Sequence, residues 1–511
     1  MLKELISKGF LPHELPPLFS SKSLRALVGK GLPEAFTGTK AQWTQAVHHN
    51  LARPGGLRRK LTIPNPVNFF RLSKAMEDHA PLLKAEWSKS SFSKTSPKLG
   101  GSRALANYSN DRASPRADIR VGARYLVRAD ISQFYPSIYT HSVPWVLHTK
   151  AAAKAQIKVH ALPGNVLDRE LQACQYGQTK GIAIGPDTSL GIAELLLSPL
   201  DKRLRDECKS LGGVRFIDDM EFSFGKLSSA EAALAKLEFM LGEFELQLNG
   251  TKTKIVELPD EIESIYVTML RPHVPARIGA PPSRWVDYFN RALVAARTQP
   301  EDGVLRYAVA ALQGVLCSPP SWKLAQRLLW QCIAVDPGCL RFVVDVLLIN
   351  NKTTGLDIDV AVASVAINAL IQSSAPVNHG SEVVWSIWAG LLLKLLIEPE
   401  SQTAIALMDD ALVACAATIA WERKLFDAGF ESTLWASWIV KGSFSQDHWL
   451  FVYEALKRGW YSANVKVAKL EVDVNAAFLV AMNVSFIEDN IIDSYVPAKL
   501  PTSYGGGNGG Y

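Results

Sequence analysis

The chain has 511 residues, 48% of them apolar, with 55 Lys and Arg against 49 Asp and Glu and a formal net charge of +6. That size and apolar content exclude an intrinsically disordered chain and a small disulfide scaffold, and leave room for more than one core. By segment the charge is uneven: residues 51–128 hold 16 basic against 5 acidic residues, a net of +11, and residues 281–511 hold 17 against 22, a net of −5.

In chain order, Met1 to Phe10 alternates charged and apolar residues and carries no signal-peptide pattern. The basic segment follows, with Arg58, Arg59, Lys60 and Arg71 as cations for a polyanion or a triphosphate. Ser88 to Ser96, rich in hydroxyls and lysines, offers phosphate contacts or an exposed loop. A β-type run, Tyr125 to Ile131, delivers Asp130 near its end, with Tyr135 five residues beyond Asp130. Gly181 and Gly185 permit close backbone approach to a nucleotide, and Ser189 can cap the apolar helix Leu190 to Leu200. Val214 to Phe224 reads as a hairpin with Asp218 and Asp219 at its tip. A helical stretch, Ser229 to Phe244, precedes Leu246 to Ile255, which contains Lys252.

Beyond about residue 285 apolar residues recur at three- and four-residue spacing, interrupted by short breakers such as Asp336-Pro337-Gly338. Ten of the thirteen Trp lie there. The pattern fits a HEAT-like helical stack or a non-repetitive helical bundle. Six Cys without a CxxC pair read as reduced thiols. The run Val383 to Leu393 is shorter than the ~20 residues of a membrane helix. Together these features predict a soluble, intracellular protein without a membrane partner.

Two adjacent carboxylates between apolar strands raise each other's pKa unless a cation neutralises them. Two Mg²⁺ ions suit hard oxygen ligands and support in-line phosphoryl transfer. Asp409-Asp410 is a second such pair, expected on a helix surface, so the pair alone is weak evidence. The signal is the ordered set of Asp130 with Tyr135, Gly181-x3-Gly185-x3-Ser189, and Phe216-Ile217-Asp218-Asp219.

That set resembles the reverse transcriptases over residues 50–260. Asp130 stands at their motif A, Gly181 to Ser189 at motif B, Phe216 to Asp219 at motif C, normally Tyr-x-Asp-Asp, and Lys252 in motif D. The resemblance implies an α+β fold: a palm and fingers domain over 1–280, an all-α HEAT-like domain over 281–495, and a Gly-rich tail over 496–511. It implies a nucleotidyltransferase with two Mg²⁺ held by Asp130, Ile131, Asp218 and Asp219. Lys252 becomes the proton donor to pyrophosphate, and Arg58, Arg59, Tyr135, Gly185 and Ser189 contact the incoming nucleotide, with Tyr135 as the steric gate against a 2′-hydroxyl.

The run Asp130 to Trp145 and the long helical half narrow the resemblance to the defence-associated bacterial reverse transcriptases of the abortive-infection type. Cytoplasmic antiphage action, dNTP substrates, a DNA product, a noncoding RNA partner and a trimeric or hexameric assembly are then expected. Priming on a protein hydroxyl is known in that group, and Tyr504 and Tyr511 in the tail are candidates. The rival readings are an RNA-templated enzyme of retron or intron type, and an inactive RNA-binding helical scaffold.

Overall fold

The computed structural model describes residues 1–106, 111–159 and 161–497. The chain forms a mixed α+β structure with two small antiparallel sheets. The first is a hairpin, β1 (Val47–Ala52) with β2 (Arg58–Ile63), in the register Val47 to Ile63. The second contains β3 (Tyr125–Asp130), β4 (Gly212–Phe216), β5 (Asp219–Phe224) and β6 (Lys254–Glu257), in the order β4-β5-β3-β6. Val127, Ala129, Phe222 and Phe224 are buried with the helices Asp187–Glu207 and Leu227–Gly242. The strand and hairpin expectations are thus met at residues 125–131 and 214–224.

From Pro282–Thr298 onward the structure is helical. The helix Val360–Ser374 packs on Pro319–Val335 and Pro399–Ala406, and Gly380–Leu393 packs on Leu340–Thr354 and Ala411–Glu422. From Pro282–Thr298 to Trp449–Arg458 each helix meets the one two places further along, so these helices stack in two rows. The breakers have a local explanation: Pro319, Pro337 and Pro399 open the turns they precede, where a missing N–H is harmless. Asp359, Asp410 and Asp473 cap helix N-termini through their carboxylates. Asp410 therefore departs from the surface expectation, because it is buried and also pairs with His49 at 2.7 Å.

Hydrophobic packing crosses the sequence boundary at 280. Phe10 is fully buried, 4.4 Å from Phe69 and 6.3 Å from Trp449 between ring centroids. Leu2, Ile6, Phe10, Phe69 and Phe70 share one core with buried residues between 266 and 487, and the second sheet belongs to another, which also takes Leu5. Burial of each such aromatic contributes ~2–3 kcal/mol, so these contacts tie the N-terminal segment to the helical half. The segment Val360–Val377 is long and apolar enough to cross a membrane by length and composition; 39% of it is buried, against the helices Pro319–Val335, Gly380–Leu393 and Pro399–Ala406. The six cysteines are unpaired, five of them buried.

Candidate active site

Antiparallel pairing of β3 with β5 sets Asp130 opposite Asp219, and the connection Ile217-Asp218 turns the chain from β4 into β5 beside them. Asp130, Ile131, Asp218 and Asp219 line one cavity of about 1890 Å³, shared with Tyr135, Gly181 and Lys252. The Asp130 carboxylate accepts from Lys252 Nζ at 3.1 Å and from Asn249 Nδ2 at 3.0 Å. Backbone pairing supports this, since Asn249 N–H donates to the Asp130 carbonyl at 2.7 Å. Burial, then Asp130 and Asp219, push the Asp218 carboxyl up to about 6.

The hairpin tip is held from behind. Ile217 sits at φ 59°, a left-handed conformation that costs a β-branched residue ~1–3 kcal/mol. Its carbonyl accepts from Arg215 Nη1 at 2.9 Å and its N–H donates to Thr95 Oγ1 at 3.0 Å. Arg215 is fully buried and bonds Glu194 at 2.8 Å and Asp201 at 2.8 Å, and those carboxylates hold its guanidinium protonated against the cost of burial. Thr95 and Ser93 also donate to Glu194, and Ser90 donates to Asp201. The hydroxyls of Ser90, Ser93 and Thr95 therefore bond buried acids, which corrects the reading of these three as phosphate contacts or an exposed loop, while Ser88, Lys89, Ser91 and Lys94 of the same stretch are exposed. Arg215 stood within the hairpin run Val214 to Phe224, but nothing in its spacing identified Glu194 or Asp201 as partners.

Other expected residues occupy different places. Arg58 donates to Glu382 in the helical half and to Asn50, so its guanidinium clamps two parts of the chain although it borders the cavity. Arg71 is buried on Glu170 at 2.8 Å. Gly185, at φ 125°, packs against Pro12, where any Cβ would collide. Ser189 lies inside the helix, which Pro186 precedes, and donates to the Ala183 carbonyl at 2.5 Å. Neither Gly185 nor Ser189 lines the cavity, so both shape the loop that presents Gly181 to Ile184. Tyr135 is buried beside that loop, its carbonyl accepting from Ile182 N–H at 3.0 Å. Tyr504 and Tyr511 lie outside the described residues.

Asp219 is 45% exposed and pairs with Arg112 at 3.4 Å and Arg116 at 3.5 Å. Among the described residues no set of three or more His, Cys, Asp or Glu converges at metal-ligand spacing. The remaining acid pair, Asp130 with Asp218, and the nearby Ile131 backbone form an oxygen-rich donor set, and the raised Asp218 carboxyl marks negative charge that a divalent cation would offset. The fit to Mg²⁺ thus rests on two carboxylates rather than three. Opposite charge also collects here. Arg53, before the β1–β2 turn, lines the same cavity, and burial with Arg59 and Arg306 lowers its pKa while Asp218 and Asp130 oppose that shift. Arg53 and Asn249 were not foreseen; Arg53 lay within the basic segment marked by composition, and Asn249 within the stretch that resembles motif D.

Comparison of the chain with protein-family models gives no match, and comparison with curated proteins gives none.

Proposed function

We propose that this chain is a nucleotidyltransferase of the reverse-transcriptase type, a DNA polymerase using dNTPs. The observation that carries the reading is the meeting of Asp130, Asp218 and Lys252 in one cavity, with Tyr135 beside the Gly181 loop. Asp130, the Ile131 carbonyl and Asp218 would hold Mg²⁺, which when bound activates the attacking hydroxyl and stabilises the leaving pyrophosphate. Arg53, Arg59 and Lys60 line the cavity and suit the triphosphate by charge. Lys252 is positioned on Asp130 to deliver a proton to the departing pyrophosphate oxygen. Tyr135, buried beneath the loop, supplies the wall against a 2′-hydroxyl.

The two-row stack of helices supports the HEAT-like reading and, with it, a role in antiphage defence with a noncoding RNA and an oligomeric assembly. The test is incorporation of each labelled dNTP by purified protein with Mg²⁺, with and without co-purified RNA. Incorporation that Asp218→Asn abolishes is the expected result. Wild-type protein that incorporates none of the four dNTPs under either condition refutes the reading, and product sequencing separates templated from untemplated synthesis.

A further inference from the structure

A second surface adjoins the cavity. Large exposed aromatics are few among the described residues, yet Trp43 and Tyr176 occur together, 48% and 61% exposed. Tyr176 N–H donates to the Thr44 carbonyl at 3.0 Å, which fixes the two segments side by side. Gly177 lies between them, its Cα face against the Trp43 ring, where a Cβ would stand 3.6 Å from ring atoms. Tyr176 adopts φ 55°, a left-handed conformation, and its exposed side chain lies at the cavity margin.

From there the surface continues. Lys180 lines the cavity and bridges to Tyr139. Tyr139 stands edge-on to Trp145, centroids 5.6 Å apart, and Lys150 Nζ lies 4.1 Å above the Trp145 ring. Lys154 and Lys158 follow at four-residue spacing, both exposed. Acids that could neutralise these lysines are already engaged: Asp168 with His141 at 2.5 Å, and Glu170 with Arg71 and Arg169. The salt bridges among the described residues include none to Lys150, Lys154, Lys158 or Lys180.

Interleaved aromatics and uncompensated lysines suit one ligand chemistry, a single-stranded polynucleotide, whose bases stack on rings while cations follow its phosphates. A duplex hides its base faces and has no use for exposed rings. We propose that Trp43, Tyr176, Lys180, Tyr139, Trp145 and Lys150 form a track that conducts a single strand to or from the catalytic cavity. The proposal rests on the polymerase reading for its purpose, but its binding is measurable without catalysis.

The experiment measures fluorescence anisotropy of fluorescein-labelled oligothymidylate and oligouridylate, each about 20 nucleotides long. Both full-length wild type and Asp218→Asn are titrated. Trp43→Ala/Tyr176→Ala is expected to weaken binding by roughly 10-fold or more, and Trp43→Phe/Tyr176→Phe to retain most of it. Trp43→Leu, which keeps apolar volume without an indole, covers the case in which the alanine variant fails to fold. Lys150→Gln/Lys154→Gln/Lys180→Gln should reduce the slope of log affinity against log salt by about 2. The two labels show whether the strand is DNA, RNA or either.

Binding that these variants leave unchanged overturns the track, as does equal affinity for a duplex or for polyglutamate, or the absence of oligonucleotide binding. Variant-sensitive binding without nucleotide incorporation overturns the polymerase reading alone. Incorporation with variant-insensitive binding overturns the track alone.

Discussion

Thr95→Val tests whether the segment before the first catalytic strand holds the acidic hairpin in place. The substitution keeps shape and removes one hydroxyl. Lost with it are the 3.0 Å bond from Ile217 N–H and the 3.0 Å bond to Glu194. Glu194 retains Arg215, Ser93 and Ser198. Ile217 N–H retains no other bond and is buried, so the cost is that of an unmade bond, ~1–3 kcal/mol. It falls on a residue already strained at φ 59°, so the hairpin tip should open locally before the rest of the chain. A local loss of ~2 kcal/mol corresponds to about 30-fold faster amide exchange. Hydrogen exchange read by mass spectrometry on peptides spanning residues 214–220 gives that number, with Thr95→Ser as the control that keeps the hydroxyl. Nucleotide incorporation should fall in parallel, because Asp218 follows Ile217 directly. Unchanged exchange in Thr95→Val would refute the clamp.

Asp218→Asn should abolish incorporation and raise stability at neutral pH. The folded carboxyl titrates near 6 against an ordinary 3.8, so the native state holds the extra proton and its stabilisation disappears as pH rises through that window. Wild type should therefore lose up to ~3 kcal/mol relative to the variant above about pH 6, and nothing below about pH 4, in urea titrations without added metal. Tyr135→Ala should admit ribonucleotides in a primer-extension assay; unchanged discrimination removes Tyr135 as the gate. Arg58→Gln should lower the unfolding midpoint by the equivalent of ~3–5 kcal/mol, because Glu382 is buried and loses its cation. Unaltered stability with a raised nucleotide KM would instead return Arg58 to the triphosphate.

What the sequence revealed follows from how local each feature is. A β-type run ending in Asp130 and a hydrophobic hairpin around Asp218 are short-range patterns, and the sheet places them as expected. Lys252 was expected from the resemblance to motif D rather than from locality, and its bond to Asp130 across 122 positions follows from the pairing of Asn249 with β3. The hidden features depend on partners far along the chain. Thr95 meets Ile217 across 122 positions, and Arg58 meets Glu382 across 324. Gly185 and Ser189 failed for another reason. Spacing shows where glycine freedom and a hydroxyl are available, but not which residues of the loop line the cavity, and here neither does. The burial of Phe10 against residues around Trp449 was equally invisible, since an apolar residue near a terminus does not name its core.

The basic segment shows how net charge misleads when its partners lie elsewhere. Of its 16 cations, Arg58 is matched by Glu382, Arg71 by Glu170, Arg103 by Asp187, Arg124 by Glu257, and Arg120 and Arg128 by Glu221. All five of those acids fall outside residues 51–128, so folding offsets five of the eleven surplus charges with carboxylates from elsewhere in the chain. The cations that border the cavity come from both sides of that boundary: Arg53, Arg58, Arg59 and Lys60 around the first hairpin, Arg112, Arg116 and Arg128 later in the segment, and Lys180, Lys252 and Lys254 beyond it. A polyanion drawn to this protein thus meets the cations that border one cavity and the lysines beside it, not the whole of the segment with the largest count. Salt should then weaken polynucleotide binding by an amount set by those few contacts, well below the slope that eleven surplus charges would give.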